Sequence, residues 1–188
     1  MTRISRFPHS ATGAVAALLA VLLAPVVVCA PAGAARAVIV DGDDSPALAD
    51  LLRIKVKNGN QVVRVRLTFD DLVRQVTRAG QSVGVFLDTE RGRPGPEFGL
   101  GGGLNYGTDY QLARMRRWTW VGGRPLLCAY DGEIDWGKDT ATYTIDAECL
   151  GDYTRLRVAV EVGEHDGSKN VSDWLLGEKE FARWVDRG

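Results

Sequence analysis

A chain of 188 residues with 23 Lys and Arg against 24 Asp and Glu offers no charge surplus for gripping nucleic acid or an anionic membrane. The length suits a single globular domain able to bury about two-thirds of its unfolded surface. Two histidines and three cysteines leave little material for a transition-metal centre.

The N-terminal segment is expected to lie outside the fold. Arg3 and Arg6 precede the uncharged run AVAALLAVLLAPVVVCA, and Ala35-Arg36-Ala37 has the small-x-small pattern of a signal-peptidase site. These signals predict a signal peptide over residues 1–37 and a secreted, extracellular domain over 38–188. An uncleaved anchor competes, because residues 11–30 carry no charge and are long enough to span a bilayer. Pro25 and the Ala-rich exit favour cleavage. Arg3 and Arg6 are not adjacent, which argues against the twin-arginine route, and Val28 before Cys29 argues against lipid attachment. Removing the segment takes three of the 23 basic residues and none of the 24 acidic ones, leaving 20 against 24. No nucleic acid is expected as a partner, and no membrane once the signal is gone. Cys29 leaves too, so Cys128 and Cys149 remain as a pair in an exported chain, and a disulfide is predicted.

Period-two patterning dominates the remainder of the chain. Leu52, Ile54 and Val56 alternate with Arg53, Lys55 and Lys57; Val63, Val65, Leu67 and Phe69 alternate with Arg64, Arg66 and Thr68. Asn58-Gly59-Asn60 between them predicts a hairpin tip at 58–59 or 59–60. Residues 70–80 read as a loop with one helical turn at most. SVGVFLDT at 82–89 is the next strand, and the Gly/Pro run from about 90 to 107 reads as one long loop. TDYQLARMRRWTW predicts a strand with a bulge near Arg114, where the apolar parity slips.

A second hairpin is expected with Lys138-Asp139 at its tip. That register sets Cys128 opposite Cys149, Tyr130 opposite Ala147, Gly132 opposite Ile145, Ile134 opposite Tyr143 and Trp136 opposite Ala141. RLRVAVEVG at 155–163 supplies another strand, before a polar tail and a last short segment, FARWV. The pattern predicts an all-β chain, an antiparallel β-sandwich of about seven to nine strands with one disulfide.

The two hairpins carry opposite charge on their outward faces. Arg53, Lys55, Lys57, Arg64 and Arg66 line one; Asp131, Glu133, Asp135, Asp146 and Glu148 line the other. Like charges across a strand pair repel, so either the hairpins are neighbours, both faces are simply solvated, or the basic stripe meets an acidic partner or a polyanionic glycan.

Catalytic chemistry finds little support. Gly80-Gln81-Ser82-Val83-Gly84 matches a nucleophile-elbow pattern, but an elbow needs a strand before the serine and a helix after it. Ser82 instead enters a strand, and His165 reads as a solvated loop residue. Asp41, Asp43 and Ser45 begin like a calcium loop, yet Pro46 and Leu52 occupy the positions that need glycine and glutamate, which excludes an EF-hand but not an irregular oxygen cage. Asp88, Glu97 and Asp109 could also converge around the Gly/Pro loop as ligands to a hard cation; otherwise Asp88 and Asp109 cap turns. All five tryptophans lie beyond residue 37. Trp118 and Trp120, at i and i+2, are expected on one strand face, where exposed rings would stack on sugar and buried rings would be core.

FLDTERGRPGPEF, GTDYQL, Trp118, Cys128, Cys149-Leu150-Gly151, RVAVEV and Asp173-Trp174 together resemble a group of uncharacterised secreted actinobacterial proteins. Asp88-Thr89 at a strand end, a Gly-rich loop and then Asp109-Tyr110-x-Leu112 are more distantly similar to secreted β-sandwiches akin to family-nine carbohydrate-binding modules. In that pattern a further acidic residue comes soon after the Asp-Thr, and Glu90 occupies its place. The resemblance implies a sandwich and suggests glycan binding.

These readings lead to a non-catalytic binding module for glycan or cell-wall polymer, with Trp118, Trp120, Asp88, Glu97 and Asp109 as ligand-binding residues and no cofactor. An extracellular protein-interaction or inhibitor domain is the alternative. A small serine hydrolase built on Ser82 and His165 comes third.

Overall fold

Two antiparallel sheets form from the alternating segments. The computed structural model describes residues 35–45, 49–75, 80–165 and 169–188. Its strands are β1 (Ala35–Val40), β2 (Leu51–Asn58), β3 (Val62–Phe69), β4 (Gly80–Asp88), β5 (Phe98–Gly103), β6 (Tyr110–Arg116), β7 (Thr119–Trp120), β8 (Tyr130–Asp135), β9 (Thr140–Asp146), β10 (Arg155–His165), β11 (Asn170–Trp174) and β12 (Val185–Asp186). One sheet runs β1-β2-β3-β9-β8. The other runs β11-β10-β4-β5-β6-β7, with β12 also on β10. Among the described residues the only helical element is a single 3-10 turn, Ala147–Leu150.

The core lies between the sheets. Ile54, Val56, Val63, Val65, Leu67, Tyr143 and Ile145 enter from one side; Val83, Val85, Leu87, Phe98, Leu100, Leu112, Val158, Val160 and Val162 enter from the other. The chain is therefore the predicted antiparallel β-sandwich, with twelve described strands rather than seven to nine. The surplus is β1, β5, the two-residue β7, and β11, which the sequence reads as a polar tail.

Several local expectations need correction. Ala35, Arg36 and Ala37, assigned by the sequence to the cleaved segment, pair with Asn58, Lys57 and Val56, and Ala37 is buried. Residues 1–34 of that segment, Pro46, and residues 76–79 of the predicted loop turn lie outside the described residues. A register shift around Leu52 buries Leu51 in its place. The first hairpin turns at Asn60-Gln61, where the Gly59 amide donates to the Val62 carbonyl at 3.0 Å. Asn58 is instead buried, donating to the Val185 carbonyl and accepting from the Tyr153 hydroxyl.

The second hairpin is shifted by two residues from its predicted pairing. Tyr130 pairs with Ile145, Gly132 with Tyr143, Ile134 with Ala141, and the tip is the four residues 136–139. Parity survives such a shift, so the same side chains point inward. Distant contacts set the register: Trp136 leaves the ladder to donate its indole N–H to the Leu104 carbonyl at 2.9 Å, and Asp139 accepts from the Leu72 amide. Cys128 and Cys149 are disulfide-bonded with Cα atoms 5.7 Å apart, but they flank the ladder instead of sharing a rung.

The loop expected over 90–107 contains a strand. In β5, Phe98 and Leu100 face the core while Gly99 and Gly101 face outward, a period-two pattern hidden by glycine's poor strand propensity. In β6 the parity slip comes from burial on both faces, since Leu112 enters the core and Ala113 and Met115 are covered outside. The charged hairpins are indeed neighbours. β3 pairs with β9, so a threonine row (Thr140, Thr142, Thr144) separates Arg64 and Arg66 from the acids of β8.

Candidate functional site

The outer face of the seven-stranded sheet is divided into a covered half and an open half. On the covered half Phe86, Met115 and Ala159 are buried beneath Trp118, Trp174 and Phe181. Phe86 and Trp174 stack with centroids 5.7 Å apart, and Trp118 meets Phe181 at 4.9 Å. The carboxylate of Asp88 lies at the margin of this cover. It is fully buried and its Oδ2 accepts a hydrogen bond from Arg157 Nε at 2.7 Å and forms an ion pair with Nη2 at 2.6 Å, while the Arg157 guanidinium lies over the Phe181 and Trp184 rings.

On the open half, side chains are small. Cross-strand rows run Ser172–Gly163–Ser82–Gly103 and Trp174–Glu161–Gly84–Gly101–Gln111. Gly163 and Ser82 keep this floor low, while the Phe86 ring lies over Gly84 and the Trp120 ring over Gly101, leaving a groove of about 420 Å³ edged by Trp120, Glu161, His165, Asn170 and Ser172. Trp120 is 42% exposed, and its ring rests on the sheet where glycine makes room. A Cβ on Gly99 would come 2.8 Å from the ring, and one on Gly101 would come 3.2 Å from it.

The same ring borders a second, larger groove of about 1500 Å³, whose lining includes Asp109, Tyr110, Gln111, Leu127, Cys128 and Asp131. Tyr110 donates to Asp131 at 2.8 Å, and burial, with that hydrogen bond, raises its phenol above the ordinary range. Trp120 thus stands between two depressions, each with carboxylates and amide or hydroxyl groups within it. Such a mixture of a flat aromatic surface and a few fixed polar groups suits a ligand with apolar faces and a hydroxylated edge.

The sequence-predicted residues separate. Trp120 and Asp109 line one groove. Trp118 does not share a strand face with Trp120; it sits in the β6–β7 turn at φ 67° and packs into the aromatic cover. Glu97 is buried, and one of its oxygens accepts the Thr89 amide at 2.7 Å, the Thr89 hydroxyl and the Glu90 amide. Burial pushes its carboxyl up, offset by those amide hydrogen bonds. Asp88 and Glu97 therefore pin the 89–97 loop, while Asp109 lies beyond the opposite end of β5, so the three carboxylates do not converge. Sequence reasoning did not single out Glu161, Ser172, Asn170 and Asp131 as groove-lining groups; outward parity on their strands is the signal that points to them.

Ser82 and His165 line the same groove without bonding to each other. The Ser82 hydroxyl donates to the Gly163 carbonyl at 3.4 Å, and His165 Nδ1 meets Asn170 Oδ1 at 2.6 Å. Ser82 lies inside extended β4, so no elbow raises it. No family model, curated protein or solved structure matches this chain.

Proposed function

We propose that this is a secreted, non-catalytic binding domain whose ligand is a glycan or cell-wall polymer lying along the outer face of the seven-stranded sheet. The observation that carries the reading is the half-exposed Trp120 ring between two grooves, with Glu161 and Ser172 on one side and Asp109 on the other. A sugar ring can stack on the indole while its hydroxyls reach these groups.

The test is retention of the purified protein on cell-wall polysaccharide and on a glycan array. The wild type is retained, and Trp120→Ala weakens binding at least about tenfold, equivalent to about 1.4 kcal/mol, without lowering the melting temperature. Failure of the wild type to bind any glycan, or unchanged binding by the variant, overturns the reading. A protein partner is the second reading, favoured by Leu127, whose side chain is fully exposed on the rim of the larger groove near Trp120.

A further inference from the structure

A separate acidic cluster lies where the β1–β2 connection meets the edge strand β11. Asp44, Asp50 and Asp173 each present an oxygen, and the three oxygens lie within 4.8 Å of one another. Oxygens bound to one calcium ion at about 2.4 Å are separated by no more than about 4.8 Å, so the three can share an ion. Burial makes the arrangement unusual. Asp50 is only 2% exposed and Asp173 only 5%, and Asp173 projects from the inward-facing side of β11, the side shared by its partner Val162.

The protein's own donors satisfy these oxygens only in part. Asp50 Oδ1 accepts the Ser45 amide at 3.1 Å, and Asp173 Oδ2 accepts the Leu51 amide at 2.8 Å. Asp50 Oδ2 is buried with no hydrogen-bond partner, and so is Oδ2 of neighbouring Asp41. A buried carboxylate oxygen without a donor costs several kcal/mol unless a cation or proton answers it. The charges that act on Asp41, Asp50 and Asp173 are all acidic, and no Lys or Arg is among them.

We propose that Asp44, Asp50 and Asp173, with Asp41 beside them, form a calcium site that fastens the β1–β2 connection of one sheet to β11 of the other. The ligand set is hard oxygen throughout, with no histidine or thiolate, which excludes a zinc-type centre. An all-protein carboxylate cage without a phosphate also suits calcium better than magnesium. Desolvation first, and then neighbouring acids, hold the Asp41 carboxyl up at about 6 and raise that of Asp50, and desolvation raises that of Asp173 against its hydrogen bonds. Asp41 and Asp43 belong to the short Asp-rich run visible in the sequence; Asp173, more than a hundred residues away, completes the site.

The experiment titrates calcium chloride into the chelator-treated full-length secreted chain by calorimetry, with melting curves in parallel. One site is expected, and at calcium about 100 times Kd the melting temperature rises by about 5–10 °C. Asp44→Asn, an exposed and conservative change, weakens binding at least about tenfold, and Asp50→Asn weakens it further. Magnesium at equal concentration gives a smaller shift. Absence of both heat and thermal shift at about 10 mM calcium, or equal binding by the wild type and both variants, overturns the proposal. In the first case the buried pair is answered by a shared proton instead.

Discussion

Arg157 ties the buried end of β4 to the aromatic rings near the C-terminus. It holds the buried Asp88 carboxylate through two nitrogens and carries the Phe181 and Trp184 rings on its guanidinium plane. Arg157→Leu leaves Asp88 buried without its counter-ion, so a loss of about 3 kcal/mol is expected in urea denaturation. A loss under about 1 kcal/mol would mean that the Glu90 amide alone satisfies the carboxylate. Asp88 also shows how far sequence reached at this scale. Its place at a strand end was legible, and so was a turn-capping role, seen in the Glu90 amide it accepts; the matching role of Glu97 was not. The partner of Asp88 was not legible, because Arg157 stands 69 positions away and meets it only through the β4–β10 register. Trp118 failed for a related reason. Counting by two assumes an unbroken strand, and the left-handed pair Arg117 and Trp118 turns the chain between the two tryptophans.

Among the elements, β5 is the one whose glycines have separable duties. A Cβ on Gly102 would lie 2.6 Å from the Asp109 carbonyl and 2.7 Å from the Tyr110 Cα, both backbone atoms that cannot swing aside. Gly102→Ala should therefore cost about 1–3 kcal/mol. At Gly99 the obstacles are the ends of the Met115 and Trp120 side chains, which can move. Gly99→Ala should lose less stability than Gly102→Ala and should displace the Trp120 ring, weakening glycan retention instead. Equal melting temperatures for the two variants would contradict this division. β1 carries another expectation. Cleavage after Ala37 would strip half of a paired strand, whereas Ala32-Gly33-Ala34 is an equally good small-x-small signal immediately before it. The intact mass of the exported protein should correspond to a start at Ala35, and a start at Val38 would refute that.

For the molecule as a whole, the disulfide closes the base of the β8–β9 hairpin across a separation of 21 residues. Replacing both Cys128 and Cys149 by serine should lower stability by about 3 kcal/mol, chiefly by freeing the unfolded chain, measurable as a lower urea midpoint with an intact far-ultraviolet spectrum. The sequence by itself determined the class of fold, the cysteine pair and, outside the irregularity at Leu51–Arg53, the inward faces of the predicted hairpins, because strand parity is local and survives a slip of two residues. Glycine concealed β5, since a strand without side chains has no alternation to read except Phe98 and Leu100. Only the tertiary structure decided the hairpin registers, the split of the outer face into covered and open halves, and the meeting of Asp44 and Asp50 with Asp173. Each of these depends on which distant segment packs against which, and such contacts are chosen by the competition to fill one interior, a quantity no short window of sequence contains.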